Sequence, residues 1–299
     1  MEIRVLEYFL AVAREQNITR AAQILHITQP TLSRQLANLE QELGKPLFDR
    51  SKRRITLTQE GMLLRKTAAE IVSLAQRAKG EIGSCRKELC GDLYIGAGES
   101  ESMEHIISIA AKMQRAHPDV RFHFTSGDSG DLIDRLDAGL FDFCILFGDI
   151  DQSRYDYLPL PYPEEWGLLV RADDPLAKKE FLTTKELHDL PLILSRAAMQ
   201  SPQFFRWIGK EAAQLNITNT YNLIFNAALM AKAGMGHVLT LRGLVDPAVA
   251  SLHFLPVRPR LSLPLHIVFK KYRTLSAAAQ TFIDAAEAHC TAQQSGALA

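Results

Sequence analysis

Hydrophobic residues recur at helical spacing between Thr28 and Gly44. Thr28 suits the N-cap of a helix, Pro30 is tolerated in a first helical turn, and Gly44 suits the end of a helix. The leucines between them follow at steps of four, three and four, and so share one face that we expect to be buried: Leu32, Leu36, Leu39 and Leu43. The pattern predicts an amphipathic helix.

The opposite face of this predicted helix is polar. At 100° per residue, Arg34 lies nearly opposite the leucines, with Thr31 and Asn38 on the flanks. Arginine pairs well with guanine, asparagine and glutamine pair with adenine, and serine or threonine contacts phosphates or either base. The helix therefore has the side chains that the major groove of DNA favours.

The surrounding residues complete a DNA-binding unit. An apolar stripe predicts a helix over residues 3–15, and residues 20–25 predict a second, short helix before a turn at His26. After the third helix, Arg50 and residues 52–54 form a basic run that we interpret as a hairpin or wing. Residues 1–58 hold nine basic and six acidic side chains, a net charge of +3, whereas the whole chain is neutral. A plain helical bundle with a solvated basic loop is the alternative interpretation.

A longer apolar stripe follows in residues 59–90. Its members recur at alternating steps of four and three: Leu64, Ala68, Ile71, Ala75, Ala78 and Ile82. This spacing is typical of a coiled-coil seam and predicts pairing with a second copy of the chain. The alternative is that the helix packs on its own domain. Glycines after this stripe indicate a hinge, and we place the domain boundary at 88–92.

Residues 91–299 alternate between strand-like and helix-like segments, which predicts an α/β domain. We expect two lobes, one from 91–161 and 268–290 and the other from 162–267, with a polar tail from Thr291. Predicted strands cover residues 93–96, 120–124, 141–147, 167–170, 192–194, 238–241 and 265–269. Predicted helices cover residues 103–115, 129–138, 202–215, 225–233 and 276–289. Crossovers between the lobes are expected at 157–163 and 256–265.

Ligands of parallel sheets bind beyond the carboxyl ends of the strands. Candidate binding residues at the predicted strand ends are Glu99, Ser100, Thr125, Asp128, Ser129, Phe147, Ser195, Arg196, Ser201 and His237. The serines are alternatively helix caps, Arg196 a solvated side chain and His237 a structural histidine. Glu99 and Asp128 either complement helix dipoles or indicate a ligand with hydroxyl, amide or amine groups.

Other chemistry finds little support in the sequence. The four cysteines are irregularly spaced, do not predict a zinc site, and as free thiols fit a reducing cytoplasm. We recognise no phosphate-binding loop, metal cluster or nucleophile motif, and so expect neither cofactor nor enzymatic activity. No secretory signal or apolar run of membrane-spanning length is present, which predicts a cytoplasmic protein.

The first sixty residues resemble the N-terminal winged helix-turn-helix of LysR-type transcriptional regulators. The resemblance is carried by Leu6, Phe9, Val12-Ala13, Thr19, Ala21-Ala22, Leu25, Gln29-Pro30, Leu32-Ser33, Leu36, Leu39-Glu40, Leu43-Gly44, Leu47-Phe48-Asp49-Arg50, Leu57-Thr58 and Gly61. It departs from the family at Asn17-Ile18, where Ser-Phe is common. The resemblance implies that the major groove meets Gln29, Pro30, Thr31, Ser33 and Arg34, and that Arg53 of the wing meets the minor groove or backbone.

The second domain is similar to the regulatory domain of the same family, which resembles periplasmic solute-binding proteins. The matching landmarks are Gly127, Ser129, Leu132, Leu136, Gly139, Asp142, Asp174-Pro175-Leu176-Ala177, Leu190-Pro191-Leu192-Ile193 and Ala233-Gly234-Met235-Gly236. The resemblance implies a small-molecule effector, double-stranded promoter DNA, self-association into dimers and tetramers, and RNA polymerase as the partner of an activator. An effector-independent architectural DNA binder, a molybdate-type regulator and a DNA-tethered enzyme domain remain alternatives.

Overall fold

The computed structural model describes residues 1–49, 55–83, 89–162, 164–246, 251–261 and 263–296. The chain forms two compact units, Met1–Arg86 and Lys87–Ala299. The division falls just before the boundary predicted at 88–92. None of the helices within the described residues is both long enough and apolar enough to cross a membrane.

Within its described residues, unit 1 is helical apart from one pair of short strands. Its helices are α1 (Ile3–Glu15), α2 (Ile18–Ile24), α3 (Gln29–Leu43) and α4 (Gln59–Gly83). Strands β1 (Phe48–Asp49) and β2 (Thr56–Leu57) pair antiparallel and flank the basic run, as expected of a wing. Arg53 itself lies outside the described residues.

The core of unit 1 forms where the apolar stripes meet. Phe9 of α1 is fully buried and packs against Phe48, with 5.2 Å between the ring centroids. Leu32, Leu36 and Leu39 of α3 are also buried, as their spacing predicts. The prediction was wrong for Leu43, which is 42% exposed because it stands in the last turn of α3, next to the left-handed Gly44 that ends the helix.

Helix α4 packs on its own unit along the first half of the predicted seam. Ala68 is completely buried, and Leu64 and Ile71 pack against the same core, where α1 contacts α4. The alternative interpretation, that the helix packs on its own domain, is therefore the correct one for these three residues. Ala75 is half-buried and Ala78 exposed, whereas the side chain of Ile82 lies outside the described part. Pairing of the distal half with a second copy stays a prediction.

Unit 2 begins with lobe I, which is built on a mixed sheet with strand order β4-β3-β5-β13-β6. Its elements are β3 (Gly91–Ala97), α5 (Met103–Ala116), β4 (Val120–Ser126), α6 (Ser129–Asp137), β5 (Phe143–Phe147), β6 (Tyr155–Leu160), β13 (Leu265–Lys270) and α10 (Ala277–Gly296). Strand β3 pairs parallel with β4 and β5, whereas β13 runs antiparallel to β5 and β6. Lobe I thus resumes at residue 265 rather than 268.

Lobe II holds the second sheet, with strand order β10-β9-β11-β7-β12-β8. Its elements are β7 (Trp166–Arg171), β8 (Leu182–Thr183), β9 (Leu192–Ser195), α7 (Arg196–Met199), α8 (Pro202–Ile208), β10 (Ile217–Tyr221), α9 (Ile224–Lys232), β11 (His237–Leu241) and β12 (Leu252–Arg258). Strand β9 pairs parallel with β10 and β11, and β7 runs antiparallel to β11 and β12.

Four predicted segments differ from the structure of unit 2. The crossover expected at 157–163 overlaps β6, which continues through Leu160 and pairs with β13. The helix expected over 202–215 ends at Ile208, because Gly209 adopts a φ of +76° that breaks the helical run. The crossover expected from residue 256 begins later, because Pro256 lies inside β12, opposite Gly167 of β7. The polar tail expected from Thr291 is helical through Gly296.

Candidate DNA-binding helix and effector cavity

Thr28 starts helix α3 as the sequence predicts. The Thr31 backbone N–H donates to Thr28 Oγ1 at 3.4 Å, the two hydroxyls lie 2.8 Å apart, and Pro30 occupies the first turn. A tight turn at His26, with φ of +54°, leads from α2 into this cap. Cap and turn together fix where the first residues of α3 point.

The predicted DNA-contacting side chains share the outer surface of α3. Gln29, Pro30, Thr31, Arg34 and Asn38 are exposed. Ser33 is half-buried, beside the fully buried Leu32. The helix thus presents hydrogen-bonding groups outward while its leucines hold it on the core, which is the arrangement required for entry into a major groove.

Glu40 stabilises this unit, a role that the sequence analysis did not predict. There it was named only as one of the residues that carry the family resemblance. Its Oε1 accepts from the backbone N–H groups of Leu47 and Phe48, at 2.8 and 3.1 Å. The carboxylate therefore ties the end of α3 to the first strand of the wing. A glutamate on the buried flank of the leucine face was the available signal.

We expect Thr28→Ala to destabilise unit 1 by about 1 kcal/mol, because the Thr31 amide would lose its acceptor. Thermal denaturation followed by circular dichroism measures this loss. Thr19→Ala is the matched control, because Thr19 is exposed within α2. Equal losses in the two variants would contradict the capping role.

A cavity of about 140 Å³, partly open to solvent, lies between the two lobes of unit 2. The carboxyl ends of β3, β4 and β5 meet it from lobe I, and those of β9, β10 and β11 from lobe II. Its polar wall residues are Glu99, Asp128, Ser129, Ser195, Ser201, Tyr221, Asn222 and Thr240. Its large apolar wall residues are Phe147, Trp166, Phe204, Ile224, Leu241, Leu244 and Leu263.

Six of the ten predicted effector residues line this cavity: Glu99, Asp128, Ser129, Phe147, Ser195 and Ser201. Two of them are also helix caps. Ser195 Oγ accepts from the Ala198 amide at 3.1 Å, and Ser201 Oγ accepts from the Phe204 amide at 3.2 Å. The capping interpretation is confirmed for both serines, whereas ligand contact stays a prediction. The two are compatible, because a capping hydroxyl still has its own proton to donate.

Four predicted effector residues do not line the cavity. Ser100 is buried next to the wall, with no hydrogen-bond partner for its hydroxyl among the described residues. Thr125 pairs with Gly96 within the sheet, one residue short of the end of β4. Arg196 is outside the wall because its Nη2 lies 2.7 Å from Asp128 Oδ2, so it is already paired with a carboxylate.

His237 was misplaced because the strand it belongs to was assigned the wrong end. It is the first residue of β11 and pairs with Leu192 at the start of β9, whereas Ser195 at the end of β9 faces the cavity. Its Nε2 lies 4.0 Å from Asp174 Oδ2, and burial lowers the pKa of the imidazole below its ordinary value. His237 thus lies at the amino end of its strand, whereas the cavity lies at the carboxyl end.

Among the described residues, three of the contacts that join the lobes lie around the cavity. Glu99 Oε2 accepts from the backbone N–H of Ile224, the first residue of α9, at 3.0 Å. Gln203 Nε2 donates to Asp149 Oδ2 at 2.6 Å, and the ion pair of Asp128 with Arg196 is the third contact. A ligand that competes with any of these contacts changes how the lobes are held together.

Several wall residues escaped the sequence analysis. Tyr221 ends β10, a strand that was not predicted, and Asn222 follows it. Trp166 begins β7 rather than ending a strand. The Tyr221 hydroxyl donates to the Leu239 carbonyl at 3.1 Å. Burial raises the pKa of Tyr221 to about 12, so the phenol stays protonated at neutral pH.

The cysteines differ in part from the four free thiols expected. Cys144 and Cys290 are free and buried, but Cys90 is disulfide-bonded, and Cys85 lies outside the described residues. Burial raises the pKa of the Cys144 thiol to about 12, which leaves it unreactive at neutral pH. The part of the chain that the structure describes contains no cluster of three potential metal ligands.

Comparison with known proteins assigns both units. Residues 3–62 match the bacterial regulatory helix-turn-helix protein, lysR family, and residues 86–291 match the LysR substrate binding domain. The transcriptional regulator YybE of Bacillus subtilis is 31% identical over 288 residues, 94% of this chain and 97% of the relative. The Hca operon transcriptional activator HcaR of Escherichia coli is 30% identical over 246 residues, 81% of each chain.

Full-length CbnR in complex with its target DNA shares the fold. The TM-score is 0.73 over 97% of this chain and 99% of CbnR, at 20% sequence identity. The exposed polar face of α3 and the cavity between two lobes are thus found in a chain whose two parts match the DNA-binding and the substrate-binding domain of one family. The chain belongs to the LysR family of transcriptional regulators, with an N-terminal DNA-binding domain and a C-terminal effector-binding domain.

Proposed function

We propose that this regulator reads its promoter with the N-terminal half of α3 and that a small molecule in the cavity of unit 2 modulates its binding to DNA. The exposed polar surface of α3 supports the first part, with base or phosphate contacts from Gln29, Pro30, Thr31, Ser33, Arg34 and Asn38, and Arg53 reaching the duplex from the wing.

The position of the cavity carries the second part of the proposal. Its wall is shared by two lobes that contact each other through Glu99, Asp128 and Asp149. A ligand that binds one arrangement of the lobes more tightly than another shifts the balance between them by its difference in affinity. The arrangement of subunits on the DNA then follows that balance.

The cavity binds its ligand without converting it. Among the described wall residues, none is a lysine, arginine, histidine or cysteine that could act with Glu99 or Asp128 as an acid–base or nucleophilic pair. Recovery of the bound ligand chemically unchanged after prolonged incubation with the protein is the expected result. Turnover would contradict this part of the proposal.

Effector binding is tested by a thermal-shift screen of the full chain against small polar and aromatic molecules. A ligand at 100 times its Kd adds about 2.7 kcal/mol to the stability. Ser129→Trp, which fills the cavity, is expected to abolish both this shift and the ligand's effect on DNA affinity. Ser126→Trp, outside the wall, is the control. A ligand that stabilises both variants equally binds elsewhere and would contradict the proposal.

Self-association through α9 as well as the distal half of α4 is part of the proposal, with tetramers arising from paired dimers. Phe225 and Leu229 lie one turn apart on α9 and are 74% and 51% exposed, and Met235 is exposed nearby. Large apolar side chains grouped on one surface indicate a protein contact. A second copy of the chain supplies that contact, and in an activator RNA polymerase is the further partner.

We expect Phe225→Glu to weaken self-association roughly ten- to a hundredfold, because burying a phenylalanine contributes about 1.5–3 kcal/mol. Sedimentation velocity over a range of concentrations measures the change. Phe181→Glu is the control, since Phe181 is 48% exposed but lies immediately before β8, outside α9. Equal weakening in the two variants would rule out a specific role for α9.

A further inference from the structure

The cavity wall carries negative charge that the described residues only partly neutralise. Glu99 and Asp128 contribute carboxylates, and none of the described wall residues is cationic. Arg196 pairs with Asp128 from outside the wall, where its side chain is half exposed and also lies 3.8 Å from Asp131 Oδ2. Glu99 forms no ion pair within the described residues, and its Oε2 accepts from the Ile224 amide.

The negative charges of both carboxylates affect a side chain that lines the cavity. After burial, the charges of Glu99 and Asp128 contribute to raising the pKa of the Tyr221 phenol, which lines the same cavity. Glu99 also occupies the N-terminus of α9, where an anionic ligand group would otherwise find free amides and a favourable dipole. An anionic ligand would therefore meet uncompensated carboxylate charge, at a cost that rises as water is excluded.

A second feature of the wall points to a neutral oxygen on the ligand. Trp166 is 8% exposed and lines the cavity, and its Nε1–H has no hydrogen-bond partner among the described residues. A buried donor without an acceptor is costly, and a ligand hydroxyl, ether or carbonyl oxygen would satisfy it. The apolar wall, which includes Phe147 and Phe204, suits a hydrophobic body between the two polar ends.

We infer that the effector is a small primary amine with an apolar or aromatic body, whose ammonium pairs with Glu99 and whose oxygen accepts from Trp166. This inference rests on the proposed function of the cavity and specifies the chemical class of its ligand. Aromatic rings beside the carboxylate add cation–π attraction to the ion pair. The Glu99 carboxylate thus selects the charge of the ligand, while the serine and threonine hydroxyls tolerate different shapes.

Isothermal titration of the full chain with matched compounds tests the inference. The aromatic set is tyramine, 4-hydroxyphenylacetate and tyrosol, which differ only in carrying an amine, a carboxylate or an alcohol. The aliphatic set is 3-methylbutylamine, 3-methylbutanoate and 3-methylbutanol. In at least one set we expect the amine to bind at least tenfold more tightly than the acid. Phenethylamine, which lacks the hydroxyl of tyramine, tests the oxygen that Trp166 requires.

Glu99→Gln provides the decisive variant. Glutamine keeps an oxygen that can accept from the Ile224 amide, so the contact between the lobes persists while the charge is lost. We expect the amine to lose at least tenfold in affinity and the alcohol to change less than twofold. Unchanged binding of the amine by this variant, tighter binding of the acid by the wild type, or no binding of either amine at millimolar concentration would overturn the inference.

These outcomes are separable from failure of the proposed function. If an acid or an alcohol is preferred and Ser129→Trp abolishes its binding, the cavity remains an effector site and only the amine assignment is wrong. If no ligand of any charge changes the affinity for DNA, the proposed function itself fails.

Discussion

Replacing Arg34 with alanine is expected to reduce the affinity for the target duplex by about 1–3 kcal/mol, roughly five- to 150-fold, while affinity for an unrelated duplex falls much less. Arg34 is exposed on α3, on the side opposite the buried Leu32 and Leu36, which hold the helix on the core. A guanidinium in this position can donate two hydrogen bonds to the O6 and N7 atoms of guanine. The proposed reading of the promoter depends on that contact.

Fluorescence anisotropy with labelled specific and unrelated duplexes measures both affinities at the same salt concentration. Arg4→Ala is the matched control, because it removes the same charge from an exposed position on α1. A charge effect alone would weaken binding to both duplexes and would be similar in the two variants. That result would show that Arg34 does not contact bases specifically.

Gly61→Ala is expected to destabilise unit 1 by about 3 kcal/mol and to abolish specific DNA binding. A Cβ at this position would lie 2.1 Å from the Leu47 carbonyl oxygen and 3.0 Å from Leu57 Cδ2. The Leu47 oxygen already accepts from the Thr58 amide at 3.0 Å, and Thr58 Oγ1 accepts from the Gly61 amide. Because the nearest atom belongs to the backbone, relief requires movement of α4 away from the wing.

Thermal denaturation followed by circular dichroism should show the helical transition of unit 1 lowered by about 12 °C or more. Glu60→Ala is the control, since Glu60 is an exposed neighbour in the same turn and its removal should cost no more than about 0.5 kcal/mol. A Gly61→Ala protein with the stability of the control would show that unit 1 does not depend on the close approach of α4 to Leu47 for its stability.

The sequence predicted unit 1 well because local signals and packing agree there. The cap at Thr28, the burial of Leu32, Leu36 and Leu39, and the stop at Gly44 all concern neighbours within a few residues, and each is confirmed. The interpretation of the α4 stripe failed in its first half for a different reason. Periodicity shows that a face is buried but not what buries it, and Ala68 is buried within its own unit.

In unit 2 the strands with continuous apolar runs were recognised, and β10 and β12 were not. Strand β10 alternates the exposed Thr218 and Thr220 with less exposed residues that include the polar Asn219, and β12 contains Pro256. Missing β10 removed Tyr221 and Asn222 from the predicted wall. The error at His237 was avoidable, because this residue precedes the strand predicted at 238–241 and so belongs to its amino end. The parallel pairing of β11 with β9 places that end away from the cavity.

The pairing of Arg196 with Asp128 shows that local sequence pattern also fails to predict which charged side chains pair with each other. Each residue alone is a reasonable ligand contact, but the two come from different lobes and neutralise each other. The charge of Glu99 remains for a ligand, because the opposite lobe offers this carboxylate a backbone amide and, within the described residues, no cation. The polarity of the cavity is therefore a property of the folded chain that composition does not reveal.

Selection of binding sites from a random library of duplex DNA by the full chain tests the central claim most directly. The account predicts enrichment of a sequence with two related half-sites in inverted orientation, about one helical turn or more apart, which Arg34→Ala fails to enrich. A folded wild-type chain that enriches no sequence over the starting library would contradict it.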